Sequence, residues 1–328
     1  FRKAVALNPQ DPEAQYNLGM ELKAGKDLAG AIVAFQNAIE LKPDFEQAHY
    51  NLGIALRQQG QTSAAKKELN DLKGLHDFRT RLAQAKMLTL QGVSALKEQK
   101  LDDALKLFQD AMEQAPELPT GYYYLGLTWE RKNDATQALA FYQKALELKP
   151  DYAQAHSSVG LLYWEQNDHV RALEEFRQAV MCDPDLPEAH YNLGLGLAES
   201  GNLDEATKEF TQAISLNPEY TDARVQLGLV LSQDNHTAGA VNVFRELVRR
   251  DPNFAEAHNN LALVLLQSDD LHGAEQEFSK AVHLKPEYAE AHYNLALVLQ
   301  KEGKEGEARA ELEKAYNIEP SLKNAQQQ

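Results

Sequence analysis

Residues 48–53 read AHYNLG, and the same six letters return at 189–194. Near copies stand at 14–19 (AQYNLG), 257–262 (AHNNLA) and 291–296 (AHYNLA). A recurring word with histidine, tyrosine and asparagine at its centre is either a repeated chemical site or a repeated packing module. Spacing decides between the two. Pro9 and Pro43 are 34 residues apart, and Pro116, Pro150, Pro184, Pro218, Pro252, Pro286 and Pro320 continue at the same step. Pro12, Pro119 and Pro187 each follow three residues after one of these, which accounts for all twelve prolines. Proline lacks a backbone donor and breaks helices, so punctuation at a fixed step marks one turn per module. Two helical patterns fit between turns, and each module is a helix hairpin.

Counting so that the main proline is position 32 places repeats at 12–43, 46–77, 85–116, 119–150, 153–184, 187–218, 221–252, 255–286 and 289–320. Position 20 is alanine in all nine, from Ala31 to Ala308, and position 8 is glycine or alanine, from Gly19 to Ala296. Position 24 is Phe35, Leu69, Phe108, Tyr142, Phe176, Phe210, Phe244, Phe278 and Leu312. Small residues let two helices approach closely while the large one fills the space beside them. Glycine inside a helix costs about 1 kcal/mol relative to alanine, so its recurrence at position 8 implies tight contact.

Repeat length, closing proline, the alanine at position 20 and the small residue at position 8 together resemble the tetratricopeptide repeat family over essentially the whole chain. The resemblance implies an all-α, right-handed superhelical solenoid of helix-turn-helix repeats with a concave inner surface. Residues 1–11 then form the second helix of a truncated repeat, and 12–84 two repeats, the second irregular with an insertion. Seven repeats fill 85–320, and 321–328 (SLKNAQQQ) start an end-capping helix.

Composition narrows function. The chain has 328 residues with 33 basic against 49 acidic side chains, a net charge of −16. Such a surface repels phosphate backbones and argues against nucleic-acid binding. No stretch is long and apolar enough to span a bilayer. A lone cysteine, Cys182, excludes an internal disulfide framework. The chain opens on Phe1, as a truncated N-terminus would, and a soluble, cytoplasmic setting is expected over a periplasmic or secreted one. The sequon Asn235-His236-Thr237 would matter only in a eukaryotic secretory setting.

The second repeat departs from the pattern, with Asp77 where proline belongs and Leu72 where alanine is usual. Pro43 to Pro116 spans 73 residues, two periods plus five, and the excess near HDFRTRLAQ is expected to lengthen the helix that starts the third repeat. Residues 57–100 carry nine basic and four acidic side chains. They are read either as a tolerated, solvated insertion or as a hinge or docking patch for an acidic partner.

On the first helix, positions 4, 7, 8 and 11 share one stripe and positions 2, 5, 6, 9 and 13 the other. The histidines of the repeated word (His49, His156, His190, His258, His292) hold position 4 and are expected to face the partner helix. A metal needs its ligands within about 2 Å, whereas packed helix axes stand about 8–10 Å apart, so these histidines cannot share one. Asn17, Asn51, Asn192, Asn260 and Asn294, with Gln226, hold position 6 on the groove stripe. A carboxamide both donates and accepts, and can pair with both sides of a peptide group. Repeats spaced by roughly 10 Å match about three residues of extended chain. The ladder is similar to the groove asparagines of the superhelix in O-linked GlcNAc transferases, which hold extended peptides; here Leu90, Tyr124 and Ser158 interrupt it. The alternative is a merely solvated stripe.

Where the ladder lapses, Tyr123, Tyr124 and Trp164 are expected to point into the groove as binding anchors, with Trp129 in the core. Position 2 reads Glu188, Asp222, Glu256 and Glu290, either a helix-dipole complement or an acidic wall that prefers basic ligands. Position 9 is always apolar and position 5 never lysine, which excludes the carboxylate clamp of chaperone-binding relatives. GMELKAGKD at 19–27 lacks phosphate-loop spacing, and neither HExxH nor GxSxG occurs. The expectation is a non-enzymatic scaffold, without cofactor or metal, holding a protein or extended peptide in its groove. A targeting arm of a larger O-GlcNAc- or SPINDLY-type glycosyltransferase is the alternative, and homo-oligomers through the repeat ends a third reading.

Overall fold

A computed structural model describes residues 1–327, and every element among them is helical. Gln328, the last residue of the expected capping segment, lies outside the described residues. The chain forms two compact units, Phe1–Lys132 and Asn133–Gln328. The first contains α1 (Arg2–Leu7), α2 (Pro12–Ala24), α3 (Leu28–Leu41), α4 (Glu46–Gln58), α5 (Thr62–Lys97), α6 (Leu101–Gln114) and α7 (Pro119–Arg131). The second contains α8 (Ala135–Leu148), α9 (Ala153–Glu165), α10 (His169–Cys182), α11 (Pro187–Glu199), α12 (Leu203–Leu216), α13 (Thr221–Gln233), α14 (Thr237–Arg250), α15 (Ala255–Gln267), α16 (Leu271–Leu284), α17 (Ala289–Lys301) and α18 (Glu305–Ile318). A 3-10 helix, Pro320–Gln327, follows. Within each unit every helix packs on its sequence neighbours, and the first helices α9, α11, α13, α15 and α17 also lie side by side. These form the inner layer of a helix-hairpin solenoid.

The hairpin turn is made by one left-handed residue, always position 15. Gly60, Gly201 and Gly303 take it with φ of 84°, 79° and 78°, and Lys26, Gln99, Asn133, Asn167, Asn235 and Asp269 with φ between 59° and 64°. Asp27, Asp134, Asp168 and Asp270 then cap the second helix, each accepting from a backbone N–H three residues on.

Packing follows the period. Phe35, Phe108, Phe176, Phe210, Phe244 and Phe278 are buried at position 24, as are the alanines of position 20. A Cβ on Gly19, Gly194 or Gly228 would come within 2.6, 2.8 and 2.6 Å of its own repeat's phenylalanine, so position 8 lets the ring lie on the backbone. Large and small positions interlock within one hairpin.

No turn separates the second and third repeats. The helix expected to lengthen at the start of the third instead runs unbroken from Thr62 to Lys97, 36 residues, past residue 84. Without a proline at Asp77 nothing removes a donor from the ladder, and i→i−4 bonds continue. Nearly every side chain from 73 to 81 is exposed. Arg79 ties the stretch back to the start of α4, donating to Glu46 at 2.7 Å and to the Asp44 carboxylate at 2.8 Å.

Candidate functional site

The two halves of the repeated word do separate work. Position 4 couples repeats. Nε2 of His49, His156, His190, His258 and His292 lies 2.9, 2.9, 2.9, 3.1 and 3.0 Å from the carbonyl of the preceding repeat's closing proline. Nδ1 of each ring lies 2.5–3.0 Å from a glutamate at position 23: Glu68, Glu175, Glu209, Glu277 or Glu311. A carbonyl only accepts, so Nε2 carries a proton, and an ionised glutamate facing Nδ1 calls for a second one there. The hydrogen bond to Glu175 raises the His156 pKa above its usual 6.5; burial opposes the shift, and the Pro150 carbonyl and the Glu175 charge add to it. Gln15 donates to the Pro9 carbonyl at 3.2 Å, and Arg224 donates to that of Pro218, so both serve the same purpose.

The tyrosines of position 5, expected in the groove, are partly turned inward. Tyr16 lies 5.8 Å from Phe35 and 5.0 Å from Phe45, and Tyr191 lies 5.9 Å from Phe210 and 5.0 Å from Tyr220. Each bridges its own second helix and the turn that leads to the next repeat. Tyr50 alone of the large position-5 rings is half exposed, at 51%.

The position-6 amides divide by unit. Asn51 is spent internally: its Nδ2 donates to Tyr16 Oη (3.2 Å) and to the Gln47 carbonyl (2.9 Å), and its Oδ1 accepts from Lys23 Nζ (2.8 Å). Asn17 is half-buried in the same unit. In the C-terminal unit the Asn192, Gln226 and Asn294 amides are half-buried and make no hydrogen bond among the described residues, while Asn260 accepts a long contact of 3.5 Å from Asn259. A cavity of about 560 Å³ opens beside Asn192 and Gln226 and also takes in Trp164, Leu161, Leu195, Leu229 and Gln233. The structure therefore brings Trp164 together with two ladder amides. Asn260 and Asn294 follow on α15 and α17 of the same inner layer. Tyr124 stacks on Phe108 at 5.4 Å and Tyr123 meets Tyr124 edge-on at 5.3 Å, both in the N-terminal unit. Trp129 is half-buried rather than fully cored.

Two features of the cavity were not foreseen. Its floor is the position-9 lane; Leu161 and Leu229 remain 39% and 40% exposed, as does Leu263 (38%) further along. An unbroken apolar position on an otherwise polar stripe was the available signal. Gly196 makes room for Trp164: a Cβ there would stand 2.8 Å from Leu173 Cδ2 and 3.3 Å from the indole. The five position-4 histidines are each held between a glutamate and a closing-proline carbonyl. Burial first, then Asp151, raises the Cys182 thiol, the opposite of an activated nucleophile. His272, Glu275 and Glu302 bring ligand atoms within 4.8 Å of one another, but Lys304 Nζ sits 2.7 Å from Glu275 and 2.8 Å from Glu302. An ammonium already holds the place an ion would need.

Tetratricopeptide repeat models match 89–153, 142–187 and 225–289, half of the chain from one model alone, and others match 47–76, 187–220 and 289–322. A TPR repeat model covers 20–60. The chain belongs to the tetratricopeptide repeat family. These TPR matches stop at 76 and resume at 89, leaving the solvated middle of α5 between them. Among solved structures, this TPR chain is similar to YrrB, described as a TPR protein with an unusual peptide-binding site: 27% identity over 56% of this chain and 95% of that one, TM-score 0.51. It is similar to pilF of Pseudomonas aeruginosa at 23% identity, covering 62% and 92%, TM-score 0.53. A tetratricopeptide repeat protein from Parabacteroides merdae matches at 18% identity over 72% and 94%, TM-score 0.52. The last two speak for the fold alone. No curated protein matches this TPR chain significantly. The architecture is that of a protein-interaction scaffold, and no helix among the described residues is long and apolar enough to cross a membrane.

Proposed function

We propose that the chain is a non-enzymatic scaffold whose C-terminal unit holds an extended segment of a partner protein along its first helices. The carrying observation is the cavity in which the unpaired Asn192 and Gln226 amides stand over a leucine floor beside Trp164. Amides spaced by one repeat pair with backbone groups about every third residue, while the leucines and Trp164 cover apolar side chains. YrrB, similar at 27% identity and described as having a peptide-binding site, supports a peptide as the ligand class. The acidic balance of the chain turns the groove away from nucleic acid. The glycosyltransferase-arm alternative draws no support from the family models or the structural neighbours.

The test begins with a partner isolated by affinity capture and mapped to one peptide, followed by calorimetric titration. Asn192, Asn260 and Asn294 replaced together by alanine should weaken binding roughly ten- to a thousandfold, from about 0.5–1.5 kcal/mol per lost bond. Asn51→Ala, whose amide is already spent, should leave affinity unchanged. Equal affinity of wild type and the folded triple variant would reduce the amides to a solvated stripe.

A further inference from the structure

The turns between repeats carry a recurring device. In three of them a lysine at position 31 lies over the aromatic ring at position 34. Lys42 Nζ stands 4.9 Å from the Phe45 ring centre, Lys149 Nζ 4.9 Å from Tyr152 and Lys285 Nζ 4.9 Å from Tyr288. Two of these ammonium groups also reach the acid at position 2 of their own repeat, Lys285 at 2.6 Å from Glu256 and Lys42 at 3.9 Å from Glu13. The ring's negative face and the carboxylate attract one cation together.

The sixth repeat keeps the acid and the ring but not the lysine. Glu188 holds position 2, Tyr220 position 34, and Asn217 stands at position 31. Asn217 brings no charge, and its Oδ1 accepts from the Glu219 backbone N–H at 3.1 Å, which caps the turn. The second ring, Tyr191, lies 5.0 Å from Tyr220, and Asp222 stands in the first turn of α13. Among the described residues neither Glu188 nor Asp222 has an ion-pair partner, whereas nearby Glu219 is paired with Arg250 at 2.9 Å. Burial, then Glu188, Tyr191 and Asp222, push the Tyr220 hydroxyl up to about 12, so the ring stays neutral amid uncompensated negative charge. The seventh repeat also lacks the lysine, but its ring, Phe254, packs against the core of α13–α18.

We propose that Glu188, Tyr220, Tyr191 and Asp222 form a seat for the ammonium of a partner's lysine, in the place that the chain's own lysine fills in the first, fourth and eighth repeats. Glu188 lies one helical turn from Asn192 on the same face of α11. A segment held by the amides thus presents a lysine to the seat within a few residues. That role in partner recognition rests on the groove reading; the seat itself does not.

The probe is Nα-acetyl-lysine N-methylamide, titrated into the whole chain carrying ring-labelled tyrosine and followed by NMR. Contact with one ring and one carboxylate gives weak, saturable binding in about the 10–100 mM range. Tyr220 and Tyr191 ring signals should shift, while Tyr152 and Tyr288, already covered by Lys149 and Lys285, should not. Asn217→Lys should abolish the response, Glu188→Gln should weaken it at least about fivefold, and the Nε-acetylated probe should give none. The inference fails if no ring signal moves, if Tyr288 shifts equally, or if the response survives in Asn217→Lys or with the neutral probe. The triple asparagine variant should keep the lysine response, so a failed groove and a failed seat are read separately.

Discussion

From Pro187 to Ile318 the chain reverses direction at every hairpin and every closing proline; Phe210, Phe244 and Phe278 are fully buried at position 24, and Leu312 is partly buried there in the last repeat. From Thr62 to Lys97 the same kind of sequence makes one unbroken helix with an almost bare middle. The two regions share the alanine at position 20 and the small residue at position 8. They differ where one lacks proline at position 32 and the regular phenylalanine at position 24. Helix is the default of this chain, and reversal between repeats has to be imposed by removing a donor. Where reversal is lost, so is the neighbouring surface that would cover the helix. The histidine couplers follow the same division: His49 still reaches Pro43 and Glu68 at the near end of α5, whereas the third repeat has Leu88 at position 4 and no coupler.

The largest expected contrast lies at position 24. Phe244 is fully buried and Leu69 half-buried. Phe244→Ala should cost about 3–5 kcal/mol, and Leu69→Ala about 1 kcal/mol, in proportion to its smaller buried area. Urea unfolding followed by circular dichroism measures both, and comparable losses would mean that the second repeat packs as tightly as the seventh.

A smaller contrast concerns pH. The His156 pKa is raised in the fold above 6.5, so its stabilising contribution is complete below that value and is lost as pH rises through the folded pKa. As pH rises from about 6.5 through the folded pKa, the C-terminal unit should therefore lose stability. His156→Gln keeps a donor for the Pro150 carbonyl, as Gln15 does for Pro9, and removes the titration. The variant should flatten the pH dependence by roughly a few tenths of a kcal/mol, since the pair is partly screened by solvent. An unchanged slope in pH-resolved melts would show that the ring is held by packing alone.

Much of this was legible in the sequence because proline, glycine and alanine act through the backbone and recur at one step. The interlock of Gly194 with Phe210 could be read from spacing alone. The fate of α5 could not: a missing proline shows that a turn is absent, but not that both flanking helices fuse. Position 5 turns partly inward because a helical wheel has two sides, whereas Tyr191 has a third neighbour, the turn at Tyr220, supplied only by stacking. The position-6 amides were located as a set, yet Asn51 is consumed by Lys23 and Tyr16, long side chains whose reach no period encodes. The apolar residues at position 9 recur visibly in the sequence, but the pattern does not encode that Leu161, Leu195 and Leu229 line a cavity.

Partner binding is expected to follow the repeat period along the first helices of the C-terminal unit and to avoid the solvated α5. A photo-reactive phenylalanine analogue placed singly at Leu195, Leu229 and Leu263, at Lys73 and Arg81 on α5, and at Arg245 on α14 tests it in one cross-linking series with the captured partner. Cross-links are expected at the three leucine positions, to partner residues displaced by about three from one site to the next, and at none of the other sites. Cross-links concentrated on α5 or at Arg245, or unordered contacts along the leucine lane, would contradict it.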